Sequence, residues 1–292
     1  MKKIAIMTDT NSGITEEKGR QMGVSVLAMP FTINEKHYKE GINLSREAFF
    51  KEQEEGAEIY TSMPALGEVK QRWDQLLASY DEVIYIPMSS GLSSSCESAM
   101  SMAQEYDGKV YVIDNQRISV PQKSSVEDAI ALVRMGKTSE EVKQILERDR
   151  LNSDIYISVE DLKYLKKGGR ITPAVATIGT ILNIRPILQI HGEKLDAYAK
   201  VRGSKKAKQC IINALKDSMK RMEVYTPEEV RVQAAYTCNE EEAARWVDEL
   251  KETFPQFHIE AAPLPLSVAC HIGAGAVAAA ITKRLPELKH TM

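Results

Sequence analysis

The feature that most constrains this chain is an alternation. IAIMTD, VSVLAMPF, EVIYIP and KVYVID are short apolar runs, and the segments among them have helical spacing. TEEKGRQMG reads as one such helix, and further helices are expected over 64–79, 94–106, 121–136 and 138–149, the first with Trp73, Leu76 and Leu77 on one face. Strands alternating with helices predict a mainly parallel sheet covered on both faces. FTINEKHYKEGINLS interrupts the alternation with two short runs around polar turn residues, which predicts a peripheral hairpin.

Around residue 150 the pattern changes. DIYISV is one more strand, DLKYLKKGGR is a short helix ended by glycines, and TPAVATIGTILN is a helix of small residues. RPILQI and KLDAYAKV then flank the turn HGEK, a long helix follows over 203–222, and RVQAAYT, a helix over 239–252, FHIEAAP and a terminal helix complete the chain. The 292 residues suit two domains better than one. The expected architecture is two α/β domains, 1–153 with a mainly parallel sheet flanked by helices and 154–292 with a mixed sheet, a ligand being housed between them.

Charge and composition exclude several classes. A formal net charge of −3 lacks the basic footprint of a nucleic-acid binder. MKKIAIMTDT meets Asp9 too early for a secretion signal, and no run approaches the roughly 18 apolar residues of a membrane span. A cytoplasmic protein without stable membrane insertion is expected. Cys96, Cys210, Cys238 and Cys270 show no Cys-x-x-Cys spacing, so reduced thiols and no metal are expected.

MSSGLSSSCESAM, residues 88–100, carries the chemistry most open to argument. Gly91-Leu92-Ser93 matches the front of a nucleophile elbow, but Ser95 stands where the elbow needs glycine, and His271 is a base without a nameable acidic partner. A second reading is an anion cradle, in which backbone N–H groups at a helix start and the hydroxyls of Ser89, Ser90, Ser93, Ser94 and Ser95 point at one oxyanion. The third is capping alone, with Ser94-x-x-Glu97 as a capping box. TSMPA, residues 61–65, reads as a strand end leading through Pro64 into a helix capped by Ser62 or Met63, with Thr61 spare. HIGAGAVAAA, residues 271–280, places His271 before two glycines and an expected small-residue helix.

Taken in order, IMTDTNSGI, YTSMPA, SSGLSSSCES, LKKGGRI, IRPIL, KVRGSKKA and CHIGAGA resemble the DegV family of bacterial fatty-acid-binding proteins over essentially the whole chain. The resemblance implies one long-chain fatty acid as ligand, its chain in an apolar tunnel, with no other cofactor and no independent catalysis. Carried over by position, Thr61 and Ser93 are the carboxylate ligands, with Ser62 and the backbone of Ser94 close by and His271 near the head group. Arg170 is implied either as an organiser of that end or as an interface salt bridge. The family presents its acid to a separate ATP-dependent kinase subunit, and Arg202, in a run with Lys200, Lys205, Lys206 and Lys208, is then a partner-binding residue or part of a solvated helix start. Departures from the family pattern are Met63 for glutamine, Ser94 and Ser95 for Gly-Thr, Cys96 for tyrosine and Ala274 for proline. The competing class is an enzyme on small anionic substrates, a serine hydrolase or a phosphosugar-type kinase or isomerase.

Overall fold

The computed structural model describes residues 2–169, 184–192 and 194–288. The chain divides into two compact units, Met1–Arg150 and Leu151–Met292, so the strand that begins at Ser153 belongs wholly to the second.

In chain order the first unit contains β1 (Ile4–Asp9), α1 (Glu16–Met22), β2 (Val24–Leu27), β3 (Pro30–Ile33), β4 (Lys36–Lys39), α2 (Arg46–Glu54) and β5 (Ile59–Thr61). It continues with α3 (Leu66–Leu77), β6 (Glu82–Ile86), α4 (Ser95–Ala103), β7 (Val110–Val112), α5 (Ser119–Arg134) and α6 (Ser139–Arg148). β2-β1-β6-β7 form a wholly parallel sheet. Ala5, Met7, Val83 and Tyr85 pack with Trp73 of α3 and with Cys96 and Ala99 of α4. The intervening Ile84 and Ile86 are equally buried, and α5 and α6 pack against β1, β6 and β7. Burial on both faces is why these strands read as continuous apolar runs.

VSVLAMPF is two strands rather than the single one expected. β2 joins the parallel sheet, while β3 pairs antiparallel with β4 and β5 in a small separate sheet. The β3–β4 turn has Asn34 and Glu35 both at positive φ, 46° and 66°, the backbone of a tight hairpin. Thr10 ties this excursion to the end of β1, its Oγ1 donating to Glu40 Oε2 (2.9 Å) and accepting from Met29 N–H (3.1 Å).

The strand order places β2 on one side of β1 and β6 with β7 on the other. The carboxyl ends of β1 and β6 therefore flank a topological switch point, where sheets of this kind bind ligands. Asp9 closes β1 there and is fully buried. Its Oδ1 accepts from Asn11 N–H (3.0 Å) and Gln122 Nε2 (3.2 Å), and its Oδ2 accepts from Met88 N–H (3.0 Å). Gln122, itself buried in α5, also donates to Thr8 Oγ1 and to the Ile86 carbonyl, so one amide spans the ends of both central strands.

The second unit contains β8 (Ser153–Ser158), α7 (Lys163–Gly168), β9 (Ile184–His191), β10 (Lys194–Arg202), α8 (Ser204–Met222) and β11 (Val230–Tyr236). α9 (Glu240–Thr253), β12 (Glu260–Pro263), α10 (Leu266–Ile272) and β13 (Val277–Lys283) follow. The sheet runs β10-β9-β8-β13-β11-β12 and is mixed, antiparallel throughout except for β11 with β12. Ile211 and Leu215 of α8 and Trp246 and Leu250 of α9 share a core with Val232, Ala234, Ala279 and Ile281 of the strands. On α8 a polar cluster replaces this packing: the buried Asp154 carboxylate accepts from His191 Nδ1 (2.8 Å), Ser218 Oγ (2.6 Å) and Arg221 (2.5 Å).

Two expectations fail here for one reason. The residues after His271 do not open a helix, and the described residues do not end in one. GAVAAA leads into β13, the strand between β8 and β11, followed by a short 3-10 turn at Pro286–Leu288. Ladder bonds on both edges override the helix preference of alanine. The helix expected over 172–183 lies outside the described residues.

Burial pushes the Asp9 carboxyl above the ordinary carboxylate range, with the donors from Met88, Gln122 and Asn11 opposing the shift. A raised folded-state pKa contributes stability that is complete below the unfolded value, about 3.9, and lost as pH rises through the folded one. In urea unfolding from about pH 4 to about pH 8, the wild type is expected to lose stability with pH relative to the non-titrating Asp9→Asn, and parallel curves would contradict this linkage.

Candidate functional site

The serine stretch connects β6 to α4, at the switch point. Its first half is spent on holding itself in place. Met88 N–H goes to Asp9, Ser89 N–H to the Arg117 carbonyl (2.9 Å), and Ser90 N–H and Oγ to Asp114 Oδ1 (3.2 Å) and Oδ2 (2.6 Å). Gly91 N–H donates to Ser89 Oγ (3.3 Å), and the N–H groups of Leu92 and Ser93 converge on the Ser89 carbonyl (3.1 and 3.2 Å). Ser89 and Ser90 are therefore fasteners. The Ser90 hydroxyl is spent on Asp114, and the Ser89 hydroxyl is fully buried beneath the turn it braces.

The second half is different. Ser93 Oγ accepts from Ser95 N–H (3.2 Å), which leaves its proton to donate, and among the described residues the Ser94 N–H has no acceptor. Ser94 has φ −67°, a right-handed conformation in which a Cβ is harmless, so serine replaces the family's glycine here without backbone strain. The expected capping box is absent: Ser94 is the residue before α4 but makes no side-chain cap. A capping serine needs an extended backbone, and this one is helical. Its hydroxyl instead points at Met63 Sδ (3.7 Å), as does that of Ser98 (3.8 Å).

Met63 thus brings TSMPA against the start of α4. Thr61 ends β5 opposite Phe31, and Ser62 N–H donates to the Pro30 carbonyl (3.4 Å). The helix expected from Pro64 begins two residues later, with an extended Ala65 as its cap residue, so neither Ser62 nor Met63 caps it. Met63 Sδ thus meets Ser94 and Ser98 in the first unit, with Thr61 and Ser62 just before Met63 in the chain and Ser93 just before Ser94. No histidine or carboxylate of the first unit hydrogen-bonds Ser93 Oγ among the described residues, and the buried Cys96 thiol is pushed above its usual range by burial, away from thiolate character. The cluster has donors and no activated nucleophile.

His271 lies in the second unit, in the last turn of α10 rather than at a helix start. Its ring rests on Gly168 of α7 so closely that a Cβ there would fall 2.1 Å from Nδ1. Gly273, at φ +77°, faces the Tyr164 ring of the same helix, which a Cβ would meet at 2.5 Å. LKKGG and CHIGAG are the two sides of one contact. Arg170, the other candidate from this stretch, lies outside the described residues. Arg202 ends β10 and is exposed, as are Lys200, Lys205 and Lys206. Lys208 departs from the solvated run expected: it is buried, bonded to Glu242 (2.6 Å) and Glu249 (2.9 Å), with its ammonium over Trp246.

Sequence reasoning gave no role to Asp9 and did not consider Asp114. The signal was present in IMTDTN and VYVIDN, each an aspartate directly after a buried run.

The first unit is doubly wound with a donor loop at its switch point and the second has a mixed sheet, and the chain belongs to a known family: residues 3–284 match the model described as uncharacterised protein, DegV family. Protein DegV of Bacillus subtilis is 31% identical over 280 residues, covering 94% of this chain and 97% of that one. Among solved structures, a DegV family protein from Thermus thermophilus, described by its fatty acid binding, superposes with a TM-score of 0.87 at 28% identity, covering 97% of this chain and all of that one. DegV from Bacillus subtilis, described as a fatty acid binding protein, gives 0.85 at 28% identity, again over 97% of this chain and all of its own.

Gly168→Ala is expected to displace the His271 ring and to cost about 1–3 kcal/mol, the usual penalty of overpacking. Urea unfolding measures the cost, and a shifted His271 imidazole resonance reports the displacement; an unmoved resonance with unchanged stability would show that the ring yields freely.

Proposed function

We propose that this chain binds one long-chain fatty acid. The hydroxyls of Thr61 and Ser93 hold its carboxylate, with Ser62 and the backbone N–H of Ser94 close by, and an apolar tunnel takes the acyl chain. One observation carries the reading: after the loop has fastened itself, the groups left over are donors, the Ser93 hydroxyl, the Ser94 N–H and the buried Ser95 hydroxyl, at the start of a nine-residue helix. Donors at a helix N-terminus suit an oxyanion. A buried carboxylate has to be hydrogen-bonded or lose its charge, and hydroxyls with N–H groups satisfy it without a fixed cation. The acyl chain then supplies most of the affinity, at ~0.8 kcal/mol per buried CH₂. The fatty acid binding described for the Thermus and Bacillus relatives supports the same reading. His271 and Arg170 join the head-group residues on the family resemblance alone.

The chain acts as a carrier and leaves chemistry to a partner. The bound acid is presented in the cytoplasm to a separate ATP-dependent kinase subunit, with exposed Arg202 on the partner-binding surface. That no base of the first unit hydrogen-bonds Ser93 among the described residues supports a carrier over a hydrolase.

Native mass spectrometry with lipid extraction of the purified protein tests the proposal, and one long-chain acid per chain is expected. A ligand-free protein that turns over an ester, or that phosphorylates or isomerises a small anion, would establish the enzyme reading instead. Ser93→Ala and Thr61→Ala are each expected to weaken acid binding by about 1–3 kcal/mol, the worth of a hydrogen bond to a charged group. Displacement of a fluorescent fatty acid measures the loss, and unchanged affinity in both variants would move the head group elsewhere.

A further inference from the structure

We infer that Asp9 and Asp114 are positioning residues for the head-group loop, and that by fixing it they set the preference for a carboxylate over a neutral lipid head. The inference rests on the fatty-acid reading of the same loop. Asp9 Oδ2 holds Met88 N–H at 3.0 Å, and two residues later Asp114 holds both Ser90 N–H and Ser90 Oγ, at 3.2 and 2.6 Å. The Ser89 N–H in the middle is taken by the Arg117 carbonyl. Three successive residues are pinned from outside the loop. The two N–H groups after Gly91 then close on the Ser89 carbonyl, so the turn that carries Ser93 has its base fixed in space.

Neither carboxylate can serve the ligand directly, because an anion repels an anion. Their contribution is subtractive. Each removes donors from the first half of the loop, and what remains is a run of donors on Ser93, Ser94 and Ser95, carried by a turn whose base is held. Holding donors in place before a charged group arrives is how a polar site gains strength without reorganising. Without the pins, Met88 N–H and the Ser90 donors are released, the turn can re-aim, and a hydroxyl head group is accepted nearly as well as a carboxylate.

The two aspartates are held differently, which separates their variants. Asp9 receives donors on both oxygens, so Asp9→Asn keeps the Oδ1 bonds to Asn11 and Gln122 and turns an amide N–H₂ toward Met88 N–H, breaking that one pin. Asp114 is half-buried, and Asp114→Asn retains Oδ1 for the N–H groups of Ser90 and Gln116 while its amide can donate to Ser90 Oγ. Asparagine therefore rescues at 114. Alanine does not.

The test compares palmitic acid with hexadecanol, which shares its chain length and lacks its charge, by displacement of a fluorescent fatty acid from the full chain. Asp9→Asn and Asp114→Ala are expected to lower the acid-over-alcohol preference roughly 10-fold each, equivalent to about 1.4 kcal/mol. Alcohol affinity should stay within about 2-fold, and Asp114→Asn should keep the wild-type preference. Equal losses for both ligands would show a merely structural role and overturn the inference, as would an unchanged preference. Should Asp9→Asn not fold, the Asp114 pair decides alone. A wild type without preference, or Ser93→Ala without effect on it, overturns the head-group reading itself; a preference that Ser93→Ala abolishes and both aspartate variants retain overturns only the role given to Asp9 and Asp114.

Discussion

Met88 N–H bonded to a carboxylate sealed under α5 is the constraint from which the first unit's site follows. A parallel sheet delivers its strand ends at one edge, but it does not say how the chain leaves them. Here the departure from β6 is dictated by the residue that ends β1. Gln122 fastens the same two strand ends from the helix above, so sheet, helix and loop meet at one amide and one carboxylate. The cost is a buried acid answered by neutral donors, an arrangement that local stability tolerates and that a site needs.

The second unit solves its polar problem with the opposite economy. Asp154 is buried too, yet it is met by Arg221 and His191 as well as by Ser218, and the cluster joins β8, β9 and α8. Charge is matched to charge where the role is to hold elements together. At the switch point charge is left unmatched, and the surplus is turned into direction. The contrast explains why a cation near a carboxylate carries little information about ligands in this chain, whereas an acid with neutral neighbours carries a good deal.

Much of this was legible from residue order. The strand and helix alternation of the first unit and the β9–β10 hairpin follow from local pattern, because burial on two faces and turn chemistry are local properties. What stayed hidden depends on partners distant in sequence. Alanines at 278–280 prefer helix until two neighbouring strands claim them, Lys208 reads as solvated until Glu242 and Glu249 fold over it, and Ser94 reads as a cap until its own backbone turns helical. Asp9 was visible as a letter and not as a role, since its meaning lies in Met88, 79 positions away.

The alanine run of β13 has a consequence for how reliably the chain finds its fold. Small side chains specify strand register weakly, because a slip by one residue exchanges faces without a large steric objection from alanine. Val277 and Ile281 supply the objection at the two ends, since a slip would take both out of the core they share with α8 and α9. The Trp246 indole, donating to the Ala278 carbonyl at 2.9 Å, marks the start of the strand from outside the ladder. Fidelity of pairing in the second sheet therefore rests on three points rather than on the strand's full length, and one of them is supplied by a helix.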